Sequence, residues 1–252
     1  MEISKLPVKL GKEPLVEAVF ELRFEAATPA STLLPGVFFG AFGPSSIAMS
    51  RLPGADLPAQ LRAMDPNLQF APLVRLDWQE FMILIGDQSV AVACKLPYPG
   101  WAKFQPAIMK VFEIAAGTGL VQSMSRYSMK YVNLVRKDSV SDQVASLDWE
   151  VRLGKHRLEA ESAVLRVELV KGDLVQAVQI LTAAQAQVNG AEGTQKGIVV
   201  DVDSICNLSN RDFSVFAKEL PERLETIHQA TKAMFFECLT PAMFEELEPI
   251  YD

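Results

Sequence analysis

Asp201 and Asp203 are the residues of this chain whose type and spacing best suit chemistry. They are two positions apart in a predicted strand, so both carboxylates point to one face, about 7 Å apart along the strand. Such a pair could hold Mg²⁺ or share a proton. Arg166 and Glu168 share a face of another predicted strand, and an arginine opposite a carboxylate would neutralise it across a sheet. We therefore favour cross-strand ion pairing for the two aspartates over a metal or acid–base site.

Histidines and cysteines form no metal-binding or nucleophile pattern. The chain has two histidines, His156 and His228, and three widely separated cysteines, Cys94, Cys206 and Cys238. A zinc site usually combines several His or Cys ligands at short spacing. His156 lies in a charged loop sequence, and we interpret His228 as a surface or boundary residue of a helix. The sequence thus predicts free buried thiols, no cofactor and no catalytic residue.

Motifs and charge argue against several classes of function. The chain contains none of the motifs GxGxxG, GxxxxGK[ST], GxSxG and HExxH, so no known phosphate-binding loop or hydrolase signature is present. Its net charge is −7 and its pI about 5.0, which disfavours binding to nucleic acid or to an anionic membrane. The first residues lack the apolar stretch of a signal peptide, and no apolar run reaches membrane-spanning length. We therefore expect a cytoplasmic protein.

Large aromatic side chains are the candidates for binding a partner or a ligand. Phe38, Phe39 and Phe42 cluster in a segment rich in Pro and Gly. There they form either a small core under a sheet or a flap that binds a partner or covers a ligand. Three further aromatic residues complete this candidate set: Trp101, Tyr127 and Tyr131. With Trp78 and Tyr98 they could line a pocket. The two tyrosines of the set face away from the neighbouring bases, which fits a core better than a nucleic-acid platform.

The elements that must position these residues are mostly strands. Period-two alternation predicts a first strand over Pro14–Phe24, and further strands at 73–78, 81–86, 89–96, 123–135, 147–153, 162–171, 174–181 and 197–205. Helical periodicity predicts a helix from Trp101 to Gly117 and a long last helix, capped by Asp212 and kinked or divided at Pro221. Dense Pro and Gly exclude a long helix between residues 26 and 67. The pattern predicts an α+β fold with mainly antiparallel sheets, segregated helices and a long carboxy-terminal helix.

The chain divides most naturally at a polar connector, Lys137–Ala145. We expect an amino-terminal half over residues 1–140 and a carboxy-terminal half over residues 141–252, which could pack as one unit. Leu76-Asp77-Trp78 and Leu147-Asp148-Trp149 echo each other in the two halves. A diverged internal duplication would explain the echo.

Three segments carry a resemblance to a known family: PLVEAVFELRF (Pro14–Phe24), RYSMKYVN (Arg126–Asn133) and HQATKAMFFECLTPAMFEEL (His228–Leu247). Together they resemble a sporadically distributed family of bacterial proteins, about this long, with no assigned biochemical function. The family brings no established catalytic residues. Its patchy occurrence implies mobile or defence-related gene neighbourhoods, and hence an accessory, regulatory or neutralising protein.

Two hypotheses of function follow. The first is a non-catalytic cytoplasmic interaction protein that binds another, co-encoded protein, in a toxin–antitoxin or phage-defence module. An acidic protein could neutralise a basic partner by charge complementarity. The alternative is a small-molecule-binding protein or an enzyme, with its pocket between the sheet and the long helix.

Overall fold

The computed structural model describes residues 5–66, 68–187 and 194–251. Within these ranges, nine strands form one antiparallel sheet. Numbered in chain order and given in spatial order, they are β10 (Val164–Lys171), β11 (Leu174–Gln187), β12 (Thr194–Asp212), β7 (Val121–Arg136), β2 (Leu15–Ala26), β6 (Ser89–Cys94), β5 (Phe81–Ile85), β4 (Val74–Trp78) and β3 (Ile47–Arg51). Two further pairs are β1 (Lys9–Leu10) with β13 (Pro249–Ile250), and β8 (Arg152–Leu153) with β9 (His156–Arg157).

Six α-helices occur in the described part of the chain: α1 (Ala30–Phe42), α2 (Ala59–Met64), α3 (Trp101–Ala116), α4 (Val140–Ala145), α5 (Phe213–Glu237) and α6 (Pro241–Glu246). Most of the long strands and helices predicted from periodicity are present, α3 and the meander β4-β5-β6 among them. The predicted α+β class, with antiparallel strands and a long carboxy-terminal helix, is confirmed.

The chain forms two compact units, and each is built from separate segments. The first unit comprises Met1–Ala18, Lys130–Ser204 and Thr226–Asp252, and the second comprises Val19–Met129 and Ile205–Glu225. Residue 140, where the sequence predicts a border, lies inside the first unit. Strands β2, β7 and β12 and helix α5 each contribute residues to both units.

The core of the first unit follows from the alternation of β12. Ile198, Val200 and Val202 are fully buried, whereas Asp201 and Asp203 on the opposite face are partly exposed. The buried face joins a hydrophobic cluster with the second half of α5, with α6 and with the segment between them, including Phe235, Phe236, Leu239, Met243 and Phe244. The buried face of β12 and the apolar side chains of the two helices therefore pack together in one apolar layer.

The core of the second unit lies between β2 and its neighbours and helix α3. Phe20, Leu22 and Phe24 alternate along β2 and are buried. Helix α3 buries a stripe at helical spacing: Phe104, Ala107, Ile108, Val111, Phe112 and Ala115. Between them lies an enclosed apolar cavity of about 20 Å³, which is little more than the space of one water molecule.

Helix α1 contradicts the expectation that Pro and Gly exclude a long helix from this region. It runs for 13 residues with Pro35 inside it. Asp87 anchors its first turn, because its carbonyl accepts from Ala30 N at 2.9 Å and its carboxylate accepts from Ser31 Oγ at 2.5 Å. Arg62 Nη2 holds the other carboxylate oxygen at 2.8 Å. Ser31 and Asp87 are 56 residues apart in the chain. Such tertiary contacts outweigh the low helix propensity of a segment rich in Pro and Gly.

Helix α5 confirms the predicted cap, but it is not divided. Asp212 Oδ1 accepts from Ser214 N at 2.9 Å and from Val215 N at 3.2 Å, as an amino-terminal cap does. Pro221 lies inside the helix on its exposed side, next to the fully buried Leu220. Packing of the apolar stripe therefore continues through the proline position.

The predicted strand over residues 147–153 is wrong except at Arg152–Leu153. The segment that follows α5 takes up the backbone groups here, since Asp148 N donates to Cys238 O at 2.8 Å and Thr240 N donates to Ser146 O at 3.0 Å. The two Leu-Asp-Trp segments therefore lie in different settings. The first is in β4, whereas the second begins at an isolated bridge between Leu147 and Leu239.

Candidate protein-docking edge

Strand β10 is the outermost strand of the sheet and belongs to the first unit. It pairs with β11 from Val164 opposite Leu181 to Lys171 opposite Leu174, and no strand pairs with its other edge within the described residues. Four large apolar side chains are exposed along it, with exposed fractions of 67% for Val164, 38% for Val167, 37% for Leu169 and 77% for Val170. A long apolar edge is a template for pairing with another chain.

The backbone groups that β10 presents at this edge follow from its hairpin with β11. A two-residue turn, Gly172-Asp173, joins the strands, and Gly172 has the positive φ of 61° that such a turn needs. Lys171 and Leu174 close the turn, and Thr182 N donates to Ala163 O at 3.1 Å at the far end. In an antiparallel pair, hydrogen-bonded and non-hydrogen-bonded residue pairs alternate, so the backbone N–H and C=O groups of the odd-numbered residues of β10 point toward β11. The N–H and C=O groups of Val164, Arg166, Glu168 and Val170 therefore point outward.

Two opposite charges lie at the middle of this edge. Arg166 Nη2 donates to Glu168 Oε1 at 2.7 Å, and both side chains are more than half exposed. Exposed ion pairs of this kind contribute little to stability, so both groups can be engaged by a partner at small cost. At the end of the strand, Lys171 Nζ forms an ion pair with Glu237 of α5 at 2.7 Å.

The two aspartates lie elsewhere in the same unit, on the partly exposed face of β12. Asp201 Oδ2 is 3.3 Å from Lys130 Nζ on β7, and Lys130 Nζ is 3.8 Å from Glu17 Oε1. Direct pairing of Arg166 with Asp201 is not formed, because β11 lies between their strands. Arg166 acts on Asp201 only as a more distant charge.

Burial and neighbouring charges act differently on the pKa values of Lys130 and Asp201. Burial raises the pKa of the Asp201 carboxyl, and Lys130 only partly offsets this effect. Burial also opposes the charge of Lys130, but Asp201, Glu17 and Asp203 outweigh it and raise the pKa of its ammonium. The reason is that the lysine has three carboxylates around it and is 36% exposed, whereas the aspartate side chain is 22% exposed.

Asp201→Asn is expected to raise the melting temperature slightly at pH 7, by about 1–2 °C, or on the order of 0.5 kcal/mol. A raised pKa means that the protonated carboxyl favours the folded state; this contribution is present at acidic pH and is lost as pH rises through the folded pKa. The difference from the wild type should therefore shrink on acidification below about pH 4. Thermal unfolding between pH 3 and 8 is the measurement, with the exposed Glu150→Gln as control. A marked loss of stability at pH 7 would instead identify Asp201 as a needed anionic ligand or partner.

The candidate aromatic residues on β7 and α3 are distributed over both units. In the second unit, Tyr127 Oη accepts from Arg223 Nη1 at 3.1 Å, and Trp101 Nε1 donates to Glu225 Oε2 at 2.8 Å. Burial, assisted by Cys206, raises the pKa of Tyr127 to about 12. Tyr131 is in the first unit and is buried.

His228 is buried, so its interpretation as a surface or boundary residue is wrong. Its Nδ1 is 2.7 Å from Tyr131 Oη, and both residues are in the first unit. The sequence contains a signal for this burial, because His228 follows Leu224 by four residues and precedes Phe235 by seven. Those intervals place it on the apolar stripe of α5.

The three phenylalanines of the α1 region differ in exposure. Phe38 is fully buried, whereas Phe39 and Phe42 are half-buried. Ring centroids of Phe38 and Phe42 are 6.0 Å apart, and Phe42 stacks on Trp78 at 4.2 Å. Tyr98 meets Phe104 of α3 edge-on, with ring centroids 6.3 Å apart.

The second unit also has an open groove of about 730 Å³ between α3 and the first half of α5, lined by Pro106, Met109, Phe112, Ala116, Ala217 and Pro221 among others. Of the described residues, no three His, Cys, Asp or Glu side chains lie together as a metal site would require. None of the helices in the described ranges is both long and apolar enough to cross a membrane.

The sequence predicts β10 as a strand but not as an edge strand, because an edge position depends on which strands pair. One signal was available: the strand reads VLRVELV, which is nearly the same in both directions. Comparison with known proteins found no matching family model and no similar curated protein.

Proposed function

We propose that this chain is a non-catalytic interaction protein that binds an extended segment of another protein chain along β10. The exposed apolar edge of β10 carries this proposal. In strand addition, main-chain hydrogen bonds supply affinity, and alternate side chains supply specificity. The outward N–H and C=O groups of four residues of β10 can form these main-chain hydrogen bonds.

The side chains of β10 can supply specificity. Val164 and Val170 lie on one face of the strand, with Arg166 and Glu168 between them, and Val167 and Leu169 lie on the other. An added strand would cover apolar surface on both faces. It would also meet one positive and one negative charge at fixed positions, which favours partners with the opposite arrangement.

The setting of this interaction follows from the sequence. A net charge of −7 supports a protein partner over nucleic acid. The resemblance to a sporadic bacterial family supports a co-encoded partner in a cytoplasmic toxin–antitoxin or phage-defence module. Small-molecule binding has less support, because the cavity between sheet and helices in the second unit is only about 20 Å³, whereas ligand sites are roughly 300–1,000 Å³ and bury most of the ligand. The groove of about 730 Å³ between α3 and α5 is large enough, but it is open to solvent.

The experiment compares Arg166→Pro with Arg166→Ala. Both remove the charge, but only proline removes an outward N–H, and it leaves the hydrogen bonds to β11 in place. A protein captured from the native cytoplasm by the wild type should be retained by Arg166→Ala and lost with Arg166→Pro. With that protein purified, the outward amides of β10 should be protected from hydrogen exchange in the complex. Equal capture by the proline variant, or unprotected β10 amides in the complex, would refute docking at this edge.

A further inference from the structure

We infer that the strand accepted by β10 is β10 of a second copy of this chain, paired antiparallel about Val167. This inference rests on the proposed docking at β10, and it names a second copy of this chain, instead of a different co-encoded protein, as the occupant of that edge. It joins the two sheets into one across a two-fold axis. The argument comes from the order of side chains in β10 and from the direction of its backbone groups.

The sequence of β10 is self-complementary about its centre. Antiparallel pairing centred on Val167 places Arg166 opposite Glu168 of the second copy, and Glu168 opposite Arg166. The same register places Val164 opposite Val170 and Leu165 opposite Leu169. Within residues 164–170, each charge thus meets an opposite charge and each apolar side chain meets an apolar one.

The hydrogen-bonding pattern and the charges together select this register from its neighbours. Only even-numbered residues present N–H and C=O groups at the edge, so even-numbered residues must pair with even-numbered residues. Pairing centred on Val167 meets this condition. Pairing centred on Arg166 or on Glu168 also meets it, but places arginine opposite arginine or glutamate opposite glutamate.

The second face of the strand supports the same arrangement. Val167 and Leu169 lie on that face and are each more than a third exposed. In the dimer, Val167 meets Val167 of the second copy, and Leu169 meets Leu165. Association would therefore remove from water the apolar surface that β11 leaves uncovered on β10.

Cysteine cross-linking tests the register. Val167→Cys places two thiols in a non-hydrogen-bonded pair with Cα atoms about 4.5 Å apart, within disulfide range. Leu169→Cys is the matched control, because its two copies would be about 13 Å apart along the strands. Under mild oxidation the first variant should form a covalent dimer, and the second should stay like the wild type with its own Cys94, Cys206 and Cys238. Equal cross-linking of both variants would overturn the register.

Charge exchange tests the contact itself, with oligomeric state measured by sedimentation. The wild type should be a dimer at about 100 µM, where a complex of micromolar affinity is almost fully formed. Arg166→Glu and Glu168→Arg each create two like-charged pairs and should raise the dissociation constant by about tenfold or more. The double variant restores both pairs and should dimerise like the wild type.

The outcomes separate this inference from the proposed function. A monomeric wild type, or a dimer that neither the single exchanges nor Arg166→Pro weakens, overturns the β10 dimer. In either of these cases, the wild type could still capture a protein that Arg166→Pro fails to capture. The proposed function then stands, and β10 accepts a strand of that protein instead of a second β10. If Arg166→Pro changes neither association nor capture, both proposals fail.

Discussion

Replacing Gly197 with alanine should lower the melting temperature by about 4–8 °C, equivalent to ~2 kcal/mol for a chain of this length. Gly197 lies in β12, and a Cβ added to it would be 2.3 Å from the carbonyl oxygen of Val135 in β7 and 3.0 Å from a methyl group of Leu134. The carbonyl is backbone, so the two strands themselves would have to separate. Valine at the same position should cost more, because it adds two further methyl groups to the same contact. Thermal unfolding followed by circular dichroism is the measurement.

Gly36→Ala is the matched control for this prediction. Gly36 lies inside α1, and a Cβ added there meets nothing within 4 Å. Alanine should therefore stabilise the helix by up to about 1 kcal/mol. A Gly197→Ala variant as stable as Gly36→Ala would contradict the close approach of β7 and β12.

The largest loss of stability is expected for Phe38→Ala, at about 3–5 kcal/mol. Phe38 is fully buried in the second unit, and its ring lies 6.0 Å from that of Phe42. Truncation removes a large apolar side chain and leaves a cavity that rigid neighbours fill poorly. Denaturant unfolding with the midpoint and slope both measured reports the change.

Phe39→Ala is the neighbouring control and separates packing from binding. Phe39 is only half-buried, so its truncation should cost less than about 1 kcal/mol. If the α1 phenylalanines bind a partner, Phe39→Ala should weaken binding while the fold stays intact. Loss of binding in Phe38→Ala alone would report unfolding. A Phe38→Ala variant that is as stable as Phe39→Ala would show that Phe38 is not a core residue.

The candidate binding residues differ in whether a partner can reach them. Phe38, Tyr127 and Tyr131 are buried, so they are available to a partner only if the surrounding structure changes. Val164, Val167 and Val170 of β10 are exposed without any change. Binding that follows the β10 variants and not the aromatic ones would therefore locate the interface on the edge strand.

Local patterning by itself determined the types of the main elements. Alternation identified β2 and β12, and the spacing of apolar residues identified α3 and α5, because strand and helix present side chains with periods of two and 3.6 residues. The cap of α5 by Asp212 was also predicted from the sequence, since it depends on groups within a few residues.

Only the tertiary structure decided which partner each side chain meets. Tyr131 and His228 are 97 residues apart, and Ser31 and Asp87 are 56 apart, so no local pattern pairs them. Strand order placed β11 between β10 and β12, which gave Asp201 the partner Lys130 instead of Arg166 and left β10 at the edge. Pairing between distant segments depends on how the whole sheet buries its apolar face, and a single strand's sequence does not contain that information.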